Sequence, residues 1–325
     1  MPQLNPTLLE IRHLKTHFRT MAGVVPAVHD VSFSIAQGET LGLVGESGCG
    51  KTVTALSILR LIPLGIGSME GEIRFGGEDL MRLSPSRMRR LRGNRISMVF
   101  QEPMTALNPV LTIGDQIAEV LRQHRRLSRK AAWNEAADCL SWVGMPDVQR
   151  RLKQYPHELS GGLRQRALIA MALACQPQLV IADEPTTALD VTIQAQILAL
   201  MNRLKAELNM AMLLITHNLG IVAQITDRLA VMYAGVIVES APTPALFAHP
   251  RHPYTQGLLA SLPRLDFTGP PCKELYAIPG QVPSPQELPP GCPFRPRCPQ
   301  SLEACSQPPP GVEVEAGHWV NCWLY

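Results

Sequence analysis

The chain has 325 residues, 46% of them hydrophobic and 18% charged, with a formal net charge of +3. That length suits one large domain plus an appendage, and the apolar content supports a sizeable core, which excludes general disorder. The net charge is too small to argue for nucleic acid as a partner, and no run approaches the roughly 18 apolar residues that a membrane-spanning helix needs.

Two stretches, Arg82 to Arg95 and Arg122 to Lys130, are locally basic. They read as solvated helix faces, with anionic lipid as the alternative contact. Met1 to Phe18 contains no long apolar run and no small-residue cleavage site, so a cytoplasmic protein is expected. Eight cysteines in such a compartment point to metal, cluster or core roles rather than disulfides.

In chain order, Leu8–Ile11, Val31–Ile35 and Thr40–Val44 read as strands, the third almost wholly apolar as a buried parallel strand requires. It feeds into Gly45-Glu46-Ser47-Gly48-Cys49-Gly50-Lys51-Thr52, after which a helix is expected through Val53, Leu56, Ile58 and Leu59. Ile96–Phe100 is strand-like and ends at Gln101. Residues 103–157 read mainly as helix, with Ile113, Ile117, Val120 and Leu121 at helical spacing. A helix follows Gly161-Gly162, then a strand from Gln178 to Asp183, a helix over 191–208, a strand from Ala211 to Thr216, and a hairpin turning at Ala234-Gly235. Cys175 ends an apolar helix and reads as core. Strands alternating with helices predict an α/β fold with a parallel sheet covered on both faces. After Glu239 proline is frequent, so long helices and central strands are not expected there.

Residues 45–52 match G-x-x-x-x-G-K-[ST] in a strand–loop–helix context. Backbone N–H groups of such a loop cradle phosphates, Lys51 neutralises β/γ-phosphate charge, and Thr52 places its hydroxyl on Mg²⁺. Asp183 ends a hydrophobic strand, where its carboxylate can hold Mg²⁺. Glu184 can polarise the attacking water. His217 follows a strand and can reach the γ-phosphate, and Gln101, at another strand end, can contact Mg²⁺ or that water. Cys49, beside Lys51 and a helix N-terminus, is expected to have a depressed pKa and to be blocked by maleimide unless MgATP protects it.

These motifs, with Leu159-Ser160-Gly161-Gly162 ahead of the Asp183 strand, resemble the ATP-binding subunits of ABC transporters over roughly residues 8–240. The resemblance implies a P-loop NTPase domain of mostly parallel sheet, with N-terminal antiparallel strands and an inserted helical subdomain of about 103–175. It makes Ser160, Gly161 and Gly162 the signature loop that caps ATP bound to an opposite subunit. Ala188-Leu189-Asp190 becomes the loop coupling the two sites, and Phe18 the aromatic that stacks on adenine, with core packing as its alternative. Two residues depart from the family pattern: Leu163, where many relatives have Gln, and Asn218, where Asp is usual.

His249–Gln256 and the segment Gly291–Pro299 extend the resemblance to the oligopeptide and dipeptide importers. Taken alone, the spacing of Cys292, Cys298, Cys305 and Cys322 fits either an iron–sulfur cluster or tetrahedral Zn²⁺. The resemblance implies a [4Fe–4S] cluster on these four residues, folding a tail with too little apolar surface to fold alone. Cys139, Cys175 and Cys272 lie outside the set.

The resulting expectation is an ATPase domain over 1–240 and a small irregular Pro/Cys-rich C-terminal extension over 241–325. Such a chain would hydrolyse ATP, with Mg²⁺, on the cytoplasmic face of the inner membrane and drive peptide import. The implied partners are two permease subunits, a second ABC ATPase subunit that is the same or a related chain, and an extracytoplasmic solute-binding protein. The same architecture would serve nickel, glutathione or glycan import. A DNA- or ribosome-acting ABC ATPase and an iron–sulfur electron carrier are the other readings, disfavoured by the single compact cassette and by the intact set of Lys51, Gln101, Asp183, Glu184 and His217.

Overall fold

Three fully buried strands, Ile96–Val99, Leu179–Asp183 and Ala211–Thr216, are built almost entirely from apolar residues and pair in parallel. Continuous apolar runs of this kind have no solvent-facing side, so both faces must be covered. In the computed structural model, which describes residues 6–21, 23–63, 65–187, 189–262 and 276–325, they lie in the first of two compact units. That unit comprises Met1–Leu9, Ile35–Thr40 and Phe75–Ile215, and the second comprises Glu10–Ser34, Leu41–Arg74 and Thr216–Tyr325. Ala188, Cys272, Pro263, Pro270 and Pro271 lie outside the described residues.

The first unit also carries the helices Ile113–Arg125, Arg129–Trp142, Gly161–Leu173 and Val191–Leu208. Thr112 and Ser128 accept the Asp115 and Ala131 N–H groups and so start the first two helices. Their close approach depends on Gly114, where a Cβ would lie 2.7 Å from Trp133 and 2.8 Å from the Leu152 carbonyl. Cys139 is fully buried in the second helix. Cys175, read as core, is half-buried beyond the end of Gly161–Leu173.

In the second unit Thr40–Val44 runs parallel to Arg228–Tyr233, which forms the expected hairpin with Val236–Pro242. Ala234 and Gly235 both take positive φ, 44° and 84°, as a two-residue hairpin turn of the right twist demands. The first strand is Thr7–Thr20, well beyond the expected Leu8–Ile11. Its later half alternates: Leu14 and Thr16 are buried, while His13, Lys15 and His17 are not.

The proline-rich region contributes the short helices Thr243–Ala248 and Pro253–Ala260 and the strands Gly311–Glu315 and His318–Asn321. His318–Asn321 pairs antiparallel with Val236–Pro242, a sheet extension that the sequence reading did not include. The extension also shares one apolar core with the sheet, in which Val44, Leu229, Val231 and Tyr233 pack with Tyr254, Cys292, Phe294 and Cys305. Buried Glu239 fastens it further. Its carboxylate accepts the Arg251 and His252 N–H groups at 2.7 and 2.9 Å and meets His318 Nε2 at 2.7 Å. No described helix is long and apolar enough to cross a membrane.

Candidate functional site: a phosphate loop and a strand-end carboxylate

The loop of residues 45–52 leaves the buried strand Thr40–Val44 and enters the helix Lys51–Ile58 through Gly50. Gly50 has φ of 105°, and a Cβ there would sit 2.5 Å from the Ala27 carbonyl, so both conformation and space require glycine. Gly45 is equally confined, with Met232 O 2.1 Å from where a Cβ would be, whereas Gly48 faces open space. Lys51 is buried, and its Nζ donates to Gly45 O at 2.8 Å and Glu46 O at 2.9 Å. The ammonium is thus folded onto the carbonyl groups of its own loop.

Cys49 overturns an expectation. Its thiol is 1% exposed, and burial pushes its pKa up, outweighing the lowering by the Lys51 charge and hydrogen bonds. A helix N-terminus and a lysine do not activate a thiol that solvent cannot reach. Maleimide is therefore expected to label it slowly in the folded chain.

Glu46 is held from the far end of the chain. Arg297 donates from Nη1 to Glu46 Oε2 at 2.7 Å and from Nη2 to Oε1 at 3.1 Å, a two-armed ion pair spanning 251 positions of sequence. The Glu46 backbone N–H donates to Tyr254 Oη at 2.9 Å. Neither Arg297 nor Tyr254 was among the expected site residues. Both lie in segments singled out for the family resemblance, but nothing in local pattern marks their contact with residue 46.

In the first unit the strand ends fall level, with Val99 opposite Ala182 and Asp183 opposite Ile215. This brings Gln101 to Glu184: Gln101 Nε2 donates to Glu184 Oε2 at 3.0 Å. Thr187 Oγ1 donates to the same oxygen at 2.9 Å, a partner not foreseen. Glu184 takes φ of 46°, and its N–H is anchored on Ile215 O at 2.8 Å. A glutamate held in the left-handed region marks a position over-determined by its surroundings, as functional turns are. Asp183, one residue earlier, is 2% exposed at the strand end. A carboxylate and an amide oxygen are oxygen donors that a hard cation such as Mg²⁺ accepts, so within the first unit Asp183 and Gln101 fit that ion chemically.

Ser160 stands at the N-cap of Gly161–Leu173, but its side chain makes no capping hydrogen bond, and Ser160 and Gly161 are exposed. The first N–H groups of this helix are open to an anion. Asp190 is occupied in capping Val191–Leu208, accepting the Ile193 N–H at 2.9 Å. His217 is exposed. Asn218, at the unusual position, caps Leu219–Ile225 by accepting the Gly220 and Ile221 N–H groups, work that Asp would do equally. Phe18 is half-buried on the long first strand, with its ring 3.5 Å from where a Gly67 Cβ would be.

Cys292, Cys298, Cys305 and Cys322 are unpaired thiols in the second unit. Burial pushes Cys292 up to about 11, with further raising from the charges of Cys305, Cys322 and Cys298. Cys298 and Cys322 are raised by burial and then by their cysteine neighbours. The four sulfurs therefore share one neighbourhood, and as donors they fit a thiolate-ligated centre. Yet among the described residues no group of three or more His, Cys, Asp or Glu side chains is arranged to hold a metal ion.

Comparison with known proteins places these features. Residues 28–187 match the ABC transporter family, and residues 238–305 match the C-terminal region of oligopeptide/dipeptide transporters. The dimeric, post-hydrolysis structure of the ATP-binding cassette MJ0796 bound to ADP and Pi superposes with a TM-score of 0.65 at 25% identity, covering 73% of this chain and 99% of that one. Among curated relatives, the dipeptide transport ATP-binding protein DppD of Bacillus subtilis is 52% identical, covering 98% of this chain and 94% of its own length. The oligopeptide transport ATP-binding protein AppD of the same organism is 50% identical, covering 98% and 97%. The fold is that of an ABC-type ATPase, and the chain belongs to the oligopeptide/dipeptide family of ABC transporter ATP-binding subunits.

Proposed function

We propose that this chain powers the import of di- or oligopeptides by binding and hydrolysing ATP. The observation that carries the reading is the glycine-shaped loop at 45–52 heading a helix, with the buried Lys51 ammonium aimed into its curve. Gly45, Glu46, Ser47, Gly48, Cys49, Gly50, Lys51 and Thr52 would hold the phosphates, and Phe18 would stack on adenine. Thr52, Asp183 and Gln101 would ligate Mg²⁺. Glu184 would polarise the attacking water, assisted by Gln101, with His217 on the γ-phosphate. Ser160, Gly161 and Gly162, on the open helix N-terminus, would cap ATP bound to a second ATPase subunit, and Asp190 would lie in the loop between the two sites.

The partners in this reading are two membrane permease subunits, that second subunit, and an extracytoplasmic solute-binding protein. The chain would work as a peripheral protein on the cytoplasmic side of the membrane. Its ATPase domain would end near residue 240, with the helical subdomain over about 103–175 and the extension from 241.

Cys292, Cys298, Cys305 and Cys322 would hold a [4Fe–4S] cluster, whose contribution is to cross-link and so fold the extension. Metal analysis of the purified chain separates iron from zinc. Cys298→Ser is expected to lose the metal, and retention at the wild-type level would overturn the ligand set.

Uptake of labelled di- and oligopeptides in cells lacking this gene tests the function. Restoration by wild type, and not by Lys51→Ala, supports peptide import. No restoration by wild type would remove peptide as the substrate and turn the test to nickel, glutathione and glycans.

A further inference from the structure

We propose that Arg297 is a positioning residue for the phosphate loop, so that the folded C-terminal extension sets the affinity of that loop for ATP. The inference rests on the nucleotide-site reading of residues 45–52. Its physical basis is the way Glu46 is gripped. Both carboxylate oxygens are taken by the two arms of one guanidinium, and the Glu46 N–H is taken by the Tyr254 hydroxyl. On the other side of the same residue, Glu46 O and Gly45 O are the acceptors of Lys51. Residues of the extension therefore fix the peptide groups on which the phosphate-binding lysine rests.

Arg297 is built for one geometry. Its side chain is 4% exposed, unlike an ordinary surface ion-pair partner. Besides Glu46 it donates from Nε to Pro279 O at 2.9 Å, from Nη2 to Ile278 O at 3.3 Å and from Nη1 to Tyr233 Oη at 3.5 Å. These contacts engage all three of its nitrogens, and the guanidinium carbon lies 5.8 Å from the centre of the Tyr233 ring and 5.9 Å from that of Phe294. Tyr233, Tyr254 and Phe294 in turn pack edge-on or tilted against one another, with centroids 4.6 to 5.3 Å apart. Burial opposes the charge of Arg297, but the hydrogen bonds it donates to Glu46 and Tyr233 outweigh it and raise its pKa further. A planar fork held this way cannot be replaced by a lysine, which offers a point charge without the two parallel bonds.

Arg297 stands next to Cys298 and closes the short helical turn Arg295–Arg297. The fold around the four cysteines is therefore the frame that presents the guanidinium. If that frame loosens, Glu46 is released, the loop must be ordered when nucleotide arrives, and affinity falls by the population of misaligned loops.

The test uses the full chain and the assembled transporter. MgATP binding is titrated on the purified chain, KM and kcat are measured in the transporter, and amide exchange is followed over residues 45–52. Arg297→Gln is expected to weaken MgATP binding about tenfold, with KM rising in parallel, kcat within about twofold of wild type, and faster exchange in the loop. Arg297→Lys should fall between the two. Glu46→Gln should act in the same direction from the loop side, and the double variant should be no worse than Arg297→Gln alone. Should Arg297→Gln fail to fold, Arg297→Lys and Glu46→Gln decide by the same readouts. Wild-type affinity and loop exchange in a folded Arg297→Gln chain would overturn the proposal while leaving the nucleotide site intact. Failure of the wild-type chain to bind MgATP would overturn the site reading and this proposal together.

Discussion

Two glutamates illustrate opposite ways of using a carboxylate. Glu46 is locked by a buried guanidinium and contributes geometry. Glu184 is half-buried, and its Oε2 accepts hydrogen bonds from a neutral amide and a hydroxyl, those of Gln101 and Thr187. A full ionic clamp would hold a carboxylate's charge too tightly to polarise a water, whereas neutral donors such as Gln101 and Thr187 orient it. On the proposed function, the two-armed ion pair belongs to the glutamate that positions, and the neutral donors reach the glutamate that would polarise water.

The largest expected effect comes from removing the charge proposed to polarise water. Glu184→Gln keeps size and both hydrogen-bonding neighbours and should lower kcat by about two to four orders of magnitude while MgATP still binds. Single-turnover hydrolysis alongside nucleotide binding checks this. Hydrolysis within a few-fold of wild type would transfer the polarising role to another group and erase the contrast with Glu46.

Acid should separate the two regions next. His252 begins the helix Pro253–Ala260 and accepts the Tyr254 N–H on Nδ1 at 3.0 Å. Burial alone drives its pKa from 6.5 down to about 4. The unfolded chain binds a proton below about pH 6.5, and the folded chain does not until about pH 4. The stabilisation from the neutral imidazole is thus complete above pH 6.5, declines as pH falls through that window, and is gone below pH 4. Its full size is about 3 kcal/mol. Amide exchange over 249–260 should therefore rise between pH 6.5 and 4 before it rises over 179–183. His252→Asn keeps the capping acceptor and should flatten that dependence.

Much of this was legible in the chain. The helix Val191–Leu208 and the strand Ala211–Thr216 were read at their actual bounds, because a wholly apolar run and a capped helical run each have one reading. The hairpin at Ala234-Gly235 was equally plain from its turn. Gln101 and Glu184 were each read as able to act on the attacking water, and the level strand ends of the parallel sheet bring them into contact. The clamp on Glu46 was not legible, since its partners lie 208 and 251 positions away and no local pattern encodes such a contact. Cys49 was misjudged for a related reason: a lysine neighbour is visible in sequence, whereas the burial that overrides it is a property of the fold.

The smallest effect is the sharpest test of the contrast. Thr187→Val removes one 2.9 Å hydrogen bond to Glu184 Oε2 and leaves Gln101 in place. A hydrogen bond to a carboxylate is worth about 1.5 kcal/mol or more, so kcat should fall roughly tenfold with little change in KM. Because Thr187 acts only through Glu184, the same substitution made in the Glu184→Gln background should cost much less than in wild type. A full, roughly tenfold loss in that background would mean that Thr187 acts independently of the carboxylate. A loss as large as that of Glu184→Gln itself would mean that Glu184 is clamped as firmly as Glu46, and that reactive and positioning carboxylates in this molecule are held alike.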